Sequence, residues 1–354
     1  MKHIEKLKNA VKNSEVDALF LLSEPNRLYA TGFRSSDGAV VVTADKAYFF
    51  TDSRYIEAAR AQVSDAEILM VDGTKKYADL INEVISSHGV KTLGFEENAL
   101  TYGEYASFGE KLNAELKPAQ KLVSDLRAAK DADEVETMIK AQRIAEAAFL
   151  QILPIISTDM TEKELAAELV YRMVRGGAEK ESFDTIVVSG EKSSMPHGVP
   201  EDRKIKNGFL TIDFGAIYGG YCSDTTRTVC VGQPTDEMRK VYDTVLRAQL
   251  SGIAAARAGV SGASIDKAAR DVIAAAGYGE FFGHSFGHSL GIEIHEAPNA
   301  APNSSVIMPR GAVISAEPGI YLPGRFGVRI EDVLVLDENG CKDITNLTKE
   351  LIIL

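Results

Sequence analysis

The chain has 354 residues, with 39 Lys and Arg against 51 Asp and Glu, a formal net charge of −12. That acidic surplus argues against a nucleic-acid binder working through a basic face. Hydrophobic residues at 45% and charged residues at 25% are ordinary globular usage, which excludes disordered and collagen-like chains.

At about 150 residues per domain the length suggests two domains. Up to residue 125 helical and strand patterns alternate: a helix in IEKLKNAVKN, a strand in ALFLL, a hairpin in GAVVVTADKAYFF, a helix in YIEAARAQV and a strand in EILMV. The alternation continues through YADLINEVISS, TLGFEE and YGEYASFGEKL, so helices packed on a sheet are expected. From Leu122 to Ile156 apolar residues recur at helical spacing, with Pro154 placed to end or kink the run. A boundary near 125 then separates an N-terminal α/β domain, 1–125, from a second domain, 126–354.

The second domain mixes amphipathic helices, in EKELAAELVYRMV, DEMRKVYDTVLRAQLSGIAAARA and ASIDKAARDVIAAAG, with β-rich segments at FDTIVVSG, GFLTIDFGAIYGGYCSDTTRTVCVG and the tail. Strands joined by short turns predict an antiparallel sheet flanked by helices, an α+β arrangement. Neither GxGxxG nor GxxxxGK[ST] occurs, so nucleotide binding has no motif. Cys222, Cys230 and Cys341 are an odd set without metal-knuckle spacing and read as small core residues. No run approaches the ~20 apolar residues that span a bilayer. The charged amino end has no apolar signal core, so a cytoplasmic address without membrane partners is expected.

Four of the six histidines, His197, His284, His288 and His295, fall in the second half beside carboxylates set in apolar strands. In FLTIDFGAIYGGYCSDTTRTV two β-rich runs flank a Gly-containing turn. With Tyr218 and Gly219 as the loop, Asp213 and Asp224 stand directly opposite each other, a pairing of like charges that calls for a cation between them. Leu210, Ile212 and Phe214 mark the strand as buried, so a divalent metal cluster is the better account. Glu317 and Glu331 lie equally far from Gly324, and an odd-length turn there brings a second carboxylate pair together. GHSFGHSLGIEIHE adds three histidines within twelve residues. Four carboxylates and one imidazole suit a pair of Mn²⁺, Co²⁺, Fe²⁺ or Zn²⁺ ions, which activate water and polarise a carbonyl. The implied reaction is hydrolysis.

The order Asp213, Asp224, His288, Glu317, Glu331, within TIDFGA, SDTTRT, GHSFGHSLGIEIHE, AEPGIY and VRIEDV, resembles the ligand series of the pita-bread metallopeptidases. Those include methionine aminopeptidase, prolidase and aminopeptidase P. The resemblance spans essentially the whole chain. LRAAKDADEVETM, with Arg127, Lys130 and Glu134, and the PHG turn look like the proline-specific branch with its smaller creatinase-like N-terminal domain. The resemblance implies a C-terminal pita-bread catalytic domain that cuts Xaa-Pro bonds in dipeptides or short peptides, with aminopeptidase P action on longer peptides as the alternative. A further alternative is an inactive binding module on the same fold. The resemblance also implies that Asp213 chelates one metal, that Asp224 and Glu331 bridge both, and that His288 and Glu317 complete the other. Glu317 doubles as general base, His197 and His295 steady the tetrahedral intermediate and the leaving side, and His284 faces substrate. A homodimer is implied as well. Dipeptide-restricted prolidases often carry an arginine just after the His-Glu pair to grip the product carboxylate, whereas here Ala297 follows Glu296, leaving Arg329 or Arg325 as donors.

Overall fold

The structure is a computed structural model that describes residues 3–354, divided into two units at residues 127 and 128.

In the first unit a six-stranded mixed sheet runs in the order Glu67–Met70, Ala47–Thr51, Ala39–Thr43, Ala18–Leu21, Thr92–Phe95, Glu115–Pro118. The three strands between 18 and 51 are antiparallel neighbours and fully buried, whereas the three outer pairings are parallel. Pro118, which lacks an N–H for the ladder, falls on an edge strand. Phe20, Val41, Phe50 and Leu93 of the sheet pack with Leu80, Ile81, Val84 and Ile85 of helix Tyr77–His88, which Gly89 ends in the left-handed region at φ 63°.

The apolar run expected from Leu122 to Ile156 is two helices, Gln120–Ala128 and Ala132–Ile152, because Lys130 and Asp131 interrupt it. Asp131 is extended and its carboxylate accepts from Glu134 N, while the Glu134 side chain accepts from Asp131 N, so a capping box starts a new helix where apolar spacing alone reads continuity. A 3₁₀ turn carrying Pro154 follows at Leu153–Ile155.

Every strand pairing in the second unit is antiparallel. Helices Ala132–Ile152 and Glu162–Arg175 bury Phe149, Leu165 and Leu169 against Leu210, Ile212 and Phe214 of strand Gly208–Phe214, with the Phe149 and Phe214 rings stacked 5.2 Å apart. Because side chains alternate along a strand, burying Ile212 and Phe214 on the helices turns Asp213 to the other face. Helices Asp236–Ala255 and Gly262–Ala275 cover Ile314, Val328 and Leu334 in a second core. Among the described residues no helix is long and apolar enough to cross a membrane.

Candidate active site

The first carboxylate pair sits on the hairpin of Gly208–Phe214 and Thr225–Val231, with Thr226 opposite Asp213 and Tyr218 opposite Tyr221. The loop is Gly219-Gly220, at φ 56° and 79°, not Tyr218-Gly219. A two-residue turn of this hand needs positive φ at both positions, which two glycines take without strain and a tyrosine does not. The expected Asp213–Asp224 register is therefore corrected by two residues: Asp224 lies two positions before Thr226, diagonal to Asp213. Both still line one cavity.

The second pair follows the predicted symmetry about Gly324. Strands Gly319–Leu322 and Phe326–Arg329 close over Pro323-Gly324-Arg325, with Gly319 opposite Arg329, and in the neighbouring sheet Ala316 stands opposite Asp332. Glu317 and Glu331 share that register at the junction where one ladder stops and the next starts.

His288 belongs to the short strand Gly287–Ser289. A Cβ on Gly287 would lie 2.0 Å from the Ser315 carbonyl oxygen, so glycine lets the two strands approach. His288 N donates to Ser315 Oγ (3.0 Å), and the Ser315 hydroxyl donates to Glu317 Oε1 (3.1 Å). His288 Nδ1 faces the Ser289 carbonyl at 3.1 Å, and since a carbonyl only accepts, that nitrogen carries the proton. The Nε2 lone pair then points at Glu317 Oε1 (3.4 Å) and Asp224 Oδ2 (3.5 Å). One ligand atom each from Asp224, His288 and Glu331 falls within 4.8 Å of the others.

Burial, then Asp213 and Glu317, hold the Asp224 carboxyl well above the usual carboxylate range, and burial with Asp224 does the same to Glu331. Burial also raises Glu317 and lowers His288 and His284, so both rings stay neutral. Asp213 Oδ1 is buried with no hydrogen-bond donor among the described residues. Lone pairs facing one another, a carboxylate oxygen without a donor and four clustered carboxylates are a donor set that divalent cations fit.

Arg329 is 3% exposed and is committed inward. Its Nη2 donates to Asp213 Oδ2 (2.6 Å), Nη1 to Tyr321 Oη (2.9 Å) and the Pro196 carbonyl (3.2 Å), and Nε to Thr226 Oγ1 (2.9 Å). The Thr226 hydroxyl in turn donates to Glu331 Oε2 (2.7 Å). Tyr321, its hydroxyl pushed up to about 12 by burial, lies 2.9 Å from His284 Nε2, whose Nδ1 is held by the Ser285 carbonyl (2.8 Å). Arg325 is elsewhere, paired with Glu237 on the exposed surface. His197 and His295 stand exposed on the cavity wall, and the His295 and His288 rings meet edge-on at 4.4 Å. Lys130 pairs with Glu296, beside His295, at 3.0 Å.

Sequence reasoning missed Tyr321, Thr226 and Ser315, and also the buried Arg227, which bonds the Glu331 carbonyl and pairs with Asp332 (2.7 Å). The alternation of SDTTRT, with Thr226 two residues after Asp224, was the one available signal.

The cavity holds about 590 Å³, room for a short peptide, and its lining includes the apolar Phe183, Ile186, Val199 and Ile294. An antiparallel α+β unit that turns four carboxylates and a neutral imidazole into such a cavity defines a metal-dependent hydrolase. Residues 136–338 match metallopeptidase family M24, and 3–129 match the creatinase/prolidase N-terminal domain. The chain belongs to metallopeptidase family M24, with the expected creatinase-type first domain and pita-bread second domain. It is similar to the uncharacterized peptidase YqhT of Bacillus subtilis, 46% identical over 99% of both chains. Among solved structures, an Xaa-Pro dipeptidase from Bacillus anthracis superposes with a TM-score of 0.95 at 42% identity, covering 100% of this chain and 99% of that one. An X-Pro aminopeptidase from Thermotoga maritima gives 0.92 at 36% identity, covering 98% of this chain and 100% of that one.

Proposed function

We propose that this chain is an Xaa-Pro dipeptidase that uses two divalent ions, Mn²⁺ or Co²⁺ ahead of Zn²⁺ or Fe²⁺, to release the residue preceding proline. The observation that carries the reading is the convergence of Asp224, His288, Glu317 and Glu331 beside an Asp213 oxygen that lacks a donor. Asp213, Asp224, His288, Glu317 and Glu331 are the assigned metal ligands. When bound, such ions lower the pKa of water toward neutrality and polarise the scissile carbonyl.

The rest is the work of the chain's own side chains. Glu317, whose Oε1 faces His288 Nε2 at 3.4 Å, is suited to take a proton from the attacking water and return it to the departing nitrogen. His197 and His295, on the cavity wall, are suited to donate to the developing oxyanion and steady the leaving side. His284, locked by Ser285 and Tyr321, offers substrate a fixed neutral surface. Arg329 we assign to holding Asp213 and not to gripping substrate, because its donors are spent inside the protein. A proline nitrogen carries no N–H and its ring fixes φ, so a cavity shaped for that bond is needed where general peptidases fail.

One observation favours the second reading, aminopeptidase P action on longer peptides. Among the described residues Arg329 is the sole Arg or Lys lining the cavity, and Ala297 follows Glu296, so no free cation is offered to a product carboxylate. Cleavage of Ala-Pro, Ala-Pro-Ala and Ala-Ala in Mn²⁺ and in chelator tests both. Release of alanine from Ala-Pro alone supports the dipeptidase, release from the tripeptide as well supports aminopeptidase P, and no release in Mn²⁺ overturns both in favour of a binding module. A homodimer in the cytoplasm goes with the reading, and light scattering tests the assembly.

A further inference from the structure

Helix Glu162–Arg175 begins with a carboxylate that is fully buried, and its partner lies 30 residues on. Glu162 Oε1 accepts from Ser189 N (2.9 Å) and the Ser189 hydroxyl (3.0 Å), and Oε2 accepts from Lys192 Nζ (3.0 Å) and Glu201 N (3.3 Å). The Lys192 side chain is 7% exposed, and its Nζ also donates to the Val199 carbonyl at 2.6 Å. Glu162 and Lys192 therefore hold both Val199 and Glu201, at the far end of the segment that carries His197. That segment has no helix or strand between 195 and 201; Gly198 N bonds Met195 O (3.1 Å) to close a turn over Pro196-His197. On its inner side Arg329 Nη1 holds the Pro196 carbonyl. A Cβ on Gly198 would lie 2.7 Å from Val188 Cγ1, so the turn is seated against strand Ile186–Ser189.

A surface turn gains little from a buried ion pair, which costs desolvation of both charges. Here the pair spends two of its hydrogen bonds on the backbone of the segment that carries His197, at the Val199 carbonyl and Glu201 N, and donation to a reacting oxygen requires a donor held to a small tolerance. We propose that the buried Glu162–Lys192 pair is a positioning device for His197, tethering the 195–201 segment through the Val199 carbonyl and Glu201 N. The proposal rests on the reading of His197 as a donor to the reacting group.

The test is a double-mutant cycle on Ala-Pro or Ala-Pro-Ala with the Mn²⁺-loaded full chain, together with hydrogen exchange in the same proteins. Lys192→Met is expected to lower kcat tenfold or more with KM changed less than twofold, and to speed exchange of the hydrogen-bonded Gly198 and Glu201 amides at least tenfold. Combined with His197→Ala it is expected to give a kcat within twofold of His197→Ala alone, and Lys192→Arg is expected to restore most of the rate. Losses that multiply in the double mutant, or a wild-type rate in Lys192→Met, overturn the proposal. If Lys192→Met fails to fold by far-UV circular dichroism, Glu162→Gln, which keeps shape and removes charge, carries the same cycle. A wild-type chain inactive on both peptides sinks the functional reading instead, and unchanged exchange at Gly198 and Glu201 then overturns the tether independently.

Discussion

Arg329 Nη2 lies 2.6 Å from Asp213 Oδ2, and the same guanidinium reaches Glu331 through the Thr226 hydroxyl, so one buried cation steadies a carboxylate from each hairpin. Removing it takes away the cation bonded to Asp213 Oδ2. Arg329→Met is expected to cost the metal-free protein about 3–5 kcal/mol, as breaking buried ion pairs does. Urea unfolding in chelator measures it; a loss below about 1 kcal/mol means the pair is not carrying that charge.

Asp224 and Glu331 keep their protons in the folded, metal-free chain at pH values where the unfolded chain has lost them. Stability from these two groups is full below about pH 4, the ordinary carboxylate range, and drains away as pH rises toward their folded-state values. Melting in chelator from pH 5 to 8 should show the wild type losing ground against Asp224→Asn. Parallel curves for the two proteins would argue that these carboxylates do not repel.

Asp224→Asn removes one charge from the centre of the proposed ligand set with little change of volume. Turnover of Xaa-Pro substrates should fall by about 10³-fold or more, with far-UV circular dichroism unchanged. Wild-type turnover in this variant would reassign the centre.

Ala297→Arg introduces a guanidinium after Glu296; among the described residues Arg329, committed inward, is the sole Arg or Lys lining the cavity. One charge-assisted hydrogen bond to a product carboxylate contributes about 1.5–3 kcal/mol. The ratio of kcat/KM for Ala-Pro over Ala-Pro-Ala should therefore rise about tenfold or more, measured by release of free alanine. An unchanged ratio means position 297 does not reach the terminal carboxylate.

The local rules that sequence obeys made much of this legible. Alternation turned Asp213 away from the Ile212 and Phe214 core face, and equal spacing about Gly324 paired Glu317 with Glu331. The first hairpin went astray because glycine at 219 and 220 allows two loop placements, and only the twist of the finished ladder selects the one with positive φ at both. The break at Lys130-Asp131 was hidden because a capping box competes with apolar periodicity that runs straight through it. Arg329 reads in sequence as an available cation; its partners Asp213, Thr226 and Pro196 are more than 100 residues away, and no local pattern announces such a bond. Glu162 and Lys192 were silent for the same reason, each looking like a surface charge.

Glu317 and Glu331 occupy a gap between two ladders that share a single register. To slide one glutamate past the other, the chain would have to unzip Ala316 from Asp332 on one side and Gly319 from Arg329 on the other in the same event, and a slip of one residue would turn every buried side chain outward. The two carboxylates are thus clamped like the jaws of a vice with a screw at each end. Their spacing is set from both ends, by ladders that belong to two different sheets.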